Sequence, residues 1–177
     1  MLKCKDLLIV VVLLLFSRGV FAQEGPPLPY ESKGLCPFEC CTYRKNWGVE
    51  KTIRVLTDRK PGSPVAFTLQ KGDKVEGVTG VVITTALGLA KGAPFNPKYP
   101  GKFKPGANVT LLTPEGEGCY KAWVQGKAID ACSDDILEPL RAPKTEWWVQ
   151  VKNSKGEVGW VQWPHEEELF SNVDACG

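Results

Sequence analysis

The stretch Glu146–Val161, EWWVQVKNSKGEVGWV, reads as two β-strands closed by a tight turn. Glu146 to Lys152 is rich in aromatic and β-branched residues, Asn153-Ser154-Lys155-Gly156 has turn composition, and a second strand runs from Glu157 to Gln162. A period of two sorts Trp147, Val149 and Val151 to one face and Trp148, Gln150 and Lys152 to the other. The valine face is the expected core, which makes Trp148 the expected exposed aromatic. Gly159, in mid-strand, signals a close backbone approach or a kink.

Upstream segments follow the same pattern. Thr52–Leu56 alternates, Asp58–Pro64 (DRKPGSP) is a loop, Val65–Leu69 is a strand and Lys71–Lys74 a turn. Val75 and then Val78–Thr85 continue the strands, and Val109–Thr113 adds another. Residues 88–108 are broken by Gly and Pro and read as a long connection; 133–145 read as loop or one short helical turn. After the first apolar run no segment holds a 3.6-residue apolar period, and 18 Gly with 14 Pro keep elements short. The expected fold class is all-β.

The segment Cys119–Cys132, CYKAWVQGKAIDAC, is expected to form a hairpin with Gln125-Gly126 as a two-residue turn. With Val124 opposite Lys127, Trp123 faces Ala128, Lys121 faces Asp130 and Cys119 faces Cys132. Pairs alternate outward from the turn, so the two cysteines fall on a non-hydrogen-bonded pair, where side chains come closest. A Cys119–Cys132 disulfide follows from that register.

Residues 1–22 are expected to be a cleavable export signal. Lys3 and Lys5 precede the apolar run Leu7–Phe16, Val20 and Ala22 suit signal peptidase, and Gln23 would begin the mature chain. Arg18 ends the apolar run short of the roughly 20 residues a spanning helix needs, so no integral membrane segment is expected after cleavage. The location expected is secreted or periplasmic. The chain carries 22 Lys+Arg and 20 Asp+Glu; without Lys3, Lys5, Arg18 and Asp6, 19 of each sign remain. That balance gives no electrostatic drive toward nucleic acid. Lys98, Lys102 and Lys104 read as a solvated loop.

Of 7 cysteines, export leaves Cys36, Cys40, Cys41, Cys119, Cys132 and Cys176 in an oxidising compartment. Cys176 is expected to tie to one of Cys36, Cys40 and Cys41, stapling the Pro-rich arm 23–46 to the tail, while the other two close locally. A Cys40–Cys41 bond is disfavoured by strain. Pro26-Pro27-Leu28-Pro29 reads as a stiff leader rather than a polyproline ligand. No metal or cofactor is expected: there is no C-x₂-C pair, and His165 is the single histidine.

EWWVQVKNSKGEVGWV also resembles the closing hairpin of bacterial SH3-like (SH3b) domains, whose pattern is a Trp, a Val three residues on, a Gly-containing turn and Gly-x-x-Gly-Trp-Val. LQKGDKV (69–75) and KPGANV (104–109) are weaker echoes. The resemblance implies small SH3-like barrels, one or two in tandem, with the cysteine hairpin 119–132 as an insertion. Its units would cover 47–100 and 101–177. It also implies a peptide groove lined by Trp148 with Trp160 or Tyr120, the competing reading being that these aromatics pack under the inserted hairpin.

Catalysis has little to stand on in the sequence. A cysteine nucleophile needs a free thiol near a base, and His165-Glu166-Glu167-Glu168 lacks the second histidine of a metalloprotease helix. Two readings remain: a non-catalytic binding or structural module of the cell envelope, with peptidoglycan or an envelope protein as partner, or a small secreted Cys-dependent hydrolase. Asn108-Val109-Thr110 is a formal glycosylation sequon.

Overall fold

A computed structural model describes residues 25–36, 40–98, 100–164 and 167–175. The expectations for the signal segment, His165 and Cys176 lie outside these residues. The protein is all-β, and no helix occurs among the described residues. Twelve strands follow in chain order: β1 (Tyr30–Lys33), β2 (Trp47–Val49), β3 (Ile53–Leu56), β4 (Val65–Leu69), β5 (Lys74–Ala86), β6 (Gly88–Lys91), β7 (Asn108–Gly116), β8 (Cys119–Val124), β9 (Lys127–Ala131), β10 (Lys144–Lys152), β11 (Val158–Trp163) and β12 (Phe170–Ser171).

Two sheets divide them. The larger is a curled half-barrel in the order β12-β2-β5-β10-β11-β3-β4, with β1 pairing β5 beside this path. The smaller is β6-β7-β8-β9. A break at residue 100 therefore does not separate two barrels. Strands on both sides of it build one sheet, and the smaller sheet is an insertion between β5 and β10. Two further corrections concern loops. The arm 23–46 contains β1, in register with β5 from Tyr30–Thr84 to Lys33–Val81. The connection 88–108 contains β6, paired with β7 from Gly88–Leu111 to Lys91–Asn108. Both are short strands in Gly- or Pro-rich surroundings, where long-range pairing overrides weak local propensity.

The hairpin β10–β11 sits at the centre of the larger sheet, with Trp148 opposite Gln162 and Trp160 opposite Gln150. Its turn is held by Asn153, whose Oδ1 accepts from the amides of Lys155 and Glu157 at 3.0 Å each. Trp147, Val149 and Val151 face the core, as the period of two requires, and join Trp47, Trp163 and Phe170. Trp147 and Trp163 stack at 4.6 Å, and Trp163 meets Phe170 edge-on at 5.1 Å. Tyr43 closes one end; its hydroxyl donates to the Leu35 carbonyl at 2.6 Å, and burial pushes its pKa up to about 12.

Two glycines carry this packing. A Cβ on Gly80 would lie 2.0 Å from Tyr43 Oη, and one on Gly159 would lie 2.6 Å from Val55 Cγ1. Gly159 is thus a close approach between β11 and β3.

The smaller sheet has its own core of Ala90, Val109, Leu111, Ala122, Ala131 and Ile136. The cysteine hairpin adopts the expected register, from Val124–Lys127 through Lys121–Asp130. Gln125 and Gly126 both have positive φ, and Cys119–Cys132 is bonded with its Cα atoms 4.0 Å apart. Buried hydroxyls fasten the two sheets together. Thr84 Oγ1 donates to the Leu112 carbonyl at 2.7 Å and lies 3.1 Å from Thr113 Oγ1, which lies 2.9 Å from Ser32 Oγ. These contacts satisfy the polar groups of two fully buried threonines.

Candidate functional site

The candidate site is the outward face of β5, β10 and β11. Direct partners in an antiparallel ladder share a face. Glu31 therefore points the same way as Ile83, and Lys33 the same way as Val81 and Trp148. On the next strand Trp160 and Gln162 also point outward, which puts Trp148 and Trp160 on diagonal positions of adjacent strands.

Across this face lies one side chain from the 57–64 loop between β3 and β4. The Arg59 guanidinium carbon stands 5.3 Å from the Trp160 ring centroid, and its Nη1 is 3.2 Å from Glu31 Oε1. That ion pair falls short of hydrogen-bond geometry, and Nη1 is buried. The contact joins β11 to β1 across the intervening strands. Trp148 and Val81 lie between those ends, and they are 0% and 5% exposed. Trp148 Nε1 is 3.4 Å from Glu146 Oε2.

Trp148 is therefore not the exposed aromatic the alternation indicated. The expectation gave the sheet one buried face, whereas on the other the Arg59 side chain of loop 57–64 reaches from Trp160 to Glu31 of β1. Trp160 is half-buried beneath Arg59. Tyr120 lies elsewhere, packed against the core of the smaller sheet, with its phenol raised first by burial and then by the negative charge of Glu138. The structure brings Trp148 and Trp160 to one face and leaves Tyr120 out. No family model matches the chain, nor does any curated protein or solved structure.

Two polar clusters lie on the smaller sheet. Lys121 bridges Glu115, at 3.1 Å, and Asp130; its hydrogen bond with Asp130 raises the lysine pKa and lowers that of the aspartate. Asp135 is the more enclosed. Its carboxylate receives the Lys102 amide at 2.9 Å, the Cys132 amide at 3.2 Å and Lys102 Nζ at 2.9 Å. Burial alone would raise its pKa, but these hydrogen bonds outweigh burial and hold it below the usual value. Lys102 is thus tied down, not part of a merely solvated loop. Among the described residues no three His, Cys, Asp or Glu side chains group to hold a metal ion, and no helix is long and apolar enough to cross a membrane.

Cys36 is bonded to Cys41, and Cys40 is disulfide-bonded as well. Arg59 and Glu31 are the members of the site that sequence reasoning missed. The loop DRKPGSP is visible in the sequence, but which face it covers is not.

Proposed function

We propose that the protein is an exported, non-catalytic binding module of the cell envelope, built on an SH3-like barrel, that recognises a peptide or the peptide stem of peptidoglycan. The carrying observation is the outward aromatic face of β10–β11, bridged by the Arg59 side chain in ion contact with a carboxylate, Glu31. A ligand carboxylate replacing Glu31 would retain the guanidinium and meet the exposed edge of Trp160. The barrel reading is supported by the position of the resembling stretch 146–161, which forms the central hairpin of the curled sheet. The hydrolase reading is weakened because Cys36, Cys40, Cys41, Cys119 and Cys132 are all disulfide-bonded, leaving no thiolate among these five.

The test is co-sedimentation of the oxidised protein with purified peptidoglycan sacculi, read by binding and by Trp fluorescence. Saturable binding that weakens in Arg59→Ala is expected. Absence of binding to sacculi and to their soluble stem peptides would overturn the proposal.

A further inference from the structure

The larger sheet has an open seam. β11 pairs along its whole length with β10, but with β3 it shares a single residue pair, Trp160–Leu56. Beyond that pair the ladder makes no further β3–β11 pairing, and a cleft of about 420 Å³ lies there, lined by Ile53, Arg54, Val161 and Gln162, with the ion-paired Lys51 and Glu167 also on its wall. Gly159, beside the one paired position, is the close approach of β11 to β3.

The ladder states which backbone groups face this opening. The Asn153 amide donates to the Glu157 carbonyl at 3.0 Å, so bonding to β10 falls on Gly159, Val161 and Trp163. Trp160 and Gln162 consequently turn their N–H and C=O toward β3. On β3, Leu56 faces Trp160, so Arg54 faces the seam by the same alternation. Arg54 and Gln162 are next in line for pairing, and the ladder stops before them.

Side chains alternate in the same frame. Arg54 and Gln162 are exposed outward, while Ile53, Val161 and Leu169 form an apolar floor. Arg54 forms no ion pair among the described residues, whereas Lys51 is neutralised by Glu167. A strand entering the seam would meet peptide groups on both edges, an apolar floor inward and an uncompensated cation outward.

We infer that the β3–β11 seam is a strand-addition site for an extended polypeptide with alternating apolar and acidic side chains. This site adjoins the aromatic face at Trp160 and Gln162 but uses their backbone groups with Arg54, and it does not depend on the envelope reading. The occupant's backbone completes the ladder between Arg54 and Gln162, its apolar residues settle over Val161 and Leu169, and its carboxylates meet Arg54.

The test titrates ¹⁵N-labelled full chain with acetyl-Glu-Val-Glu-Val-Glu-Val-amide and with its Lys-for-Glu counterpart. The acidic peptide is expected to shift the amides of 51–56 and 160–164 and to bind at least tenfold more tightly than the basic one. Arg54→Glu, which leaves the ladder intact, is expected to reverse that preference. Gln162→Pro, which removes an amide facing the seam, is expected to abolish binding while the melting temperature shows that the fold survives. Shifts confined to the Trp148 and Trp160 indoles would overturn the seam and leave the aromatic-face proposal standing. Unchanged affinity in Arg54→Glu, or no binding of either peptide, would also overturn the seam, whatever sacculi binding shows.

Discussion

Arg59 sits over the ring of Trp160 at 5.3 Å while its Nη1 reaches Glu31, so one guanidinium links the centre of the larger sheet to its N-terminal strand. Residues far apart in sequence are thereby held together on a face that would otherwise expose aromatics. A partly desolvated cation–π contact contributes on the order of 1–2 kcal/mol.

Arg59→Ala is expected to lower stability by about 1–2 kcal/mol and to increase acrylamide quenching of tryptophan fluorescence. Trp160 becomes accessible in that variant, whereas Trp47 and Trp147 remain in the core. Arg59→Lys is expected to restore only part of the protection, because an ammonium lacks the planar stacking surface. Unchanged quenching in Arg59→Ala would show that Arg59 does not shield this face.

Trp148→Ala is expected to cost about 3–5 kcal/mol, the usual range for removing a large buried aromatic. The side chain is fully buried, and its neighbours in the ladder, Val81 and Gln162, belong to continuous strands that cannot collapse into the void. Urea denaturation of the oxidised protein measures it. A loss below about 1 kcal/mol would restore Trp148 to the surface role the alternation suggested.

These two tryptophans mark what sequence reading reaches. The hairpin containing them, its turn and its core face are local properties, and alternation placed Trp147, Val149 and Val151 correctly. The cysteine hairpin was legible for the same reason: turn, charge pair and cysteines lie within one short segment and agree on one register. That Trp148 is buried was not legible, since its face is bridged by a long-range contact of Arg59 with Glu31 on β1. Nor was the interleaving of the sheet. Alternation says that 74–86 and 144–152 are strands, but it carries no information about which strand each one pairs with. The seam escaped because it is a failure of pairing between two segments that each read as ordinary strands.

Disulfide mapping of the unreduced protein is expected to return Cys36–Cys41 and Cys119–Cys132, with no free thiol among the cysteines after residue 22. The tail runs beside Cys40: the Ala175 amide donates to the Cys40 carbonyl at 2.8 Å, and Cys41 bridges Asp174. A peptide joining Cys40 to Cys176 is the expected third product. Replacing Cys119 and Cys132 together by Ser is expected to cost about 3 kcal/mol, the chain-entropy value for a loop of this size. A pairing of Cys119 with any other cysteine would contradict the hairpin register.

Asp135 supplies the pH test. Its carboxylate accepts from two backbone amides and Lys102 Nζ, joining the segment around residue 102 to the turn after Cys132. Its folded pKa lies below the ordinary value of 3.8, so the charged form is favoured by folding. The resulting stabilisation is fully present above that ordinary value and is lost as pH falls through the depressed folded pKa. Asp135→Asn keeps the shape, removes the charge and leaves a single acceptor oxygen for three donors. It is expected to cost about 1–3 kcal/mol at pH 7, with the gap to the wild type constant down to about pH 5 and narrowing below pH 3.8. Urea midpoints of both proteins across that range measure it. A gap that stays constant into strong acid would show that the Asp135 charge contributes nothing, and that the loss in Asp135→Asn comes from geometry alone.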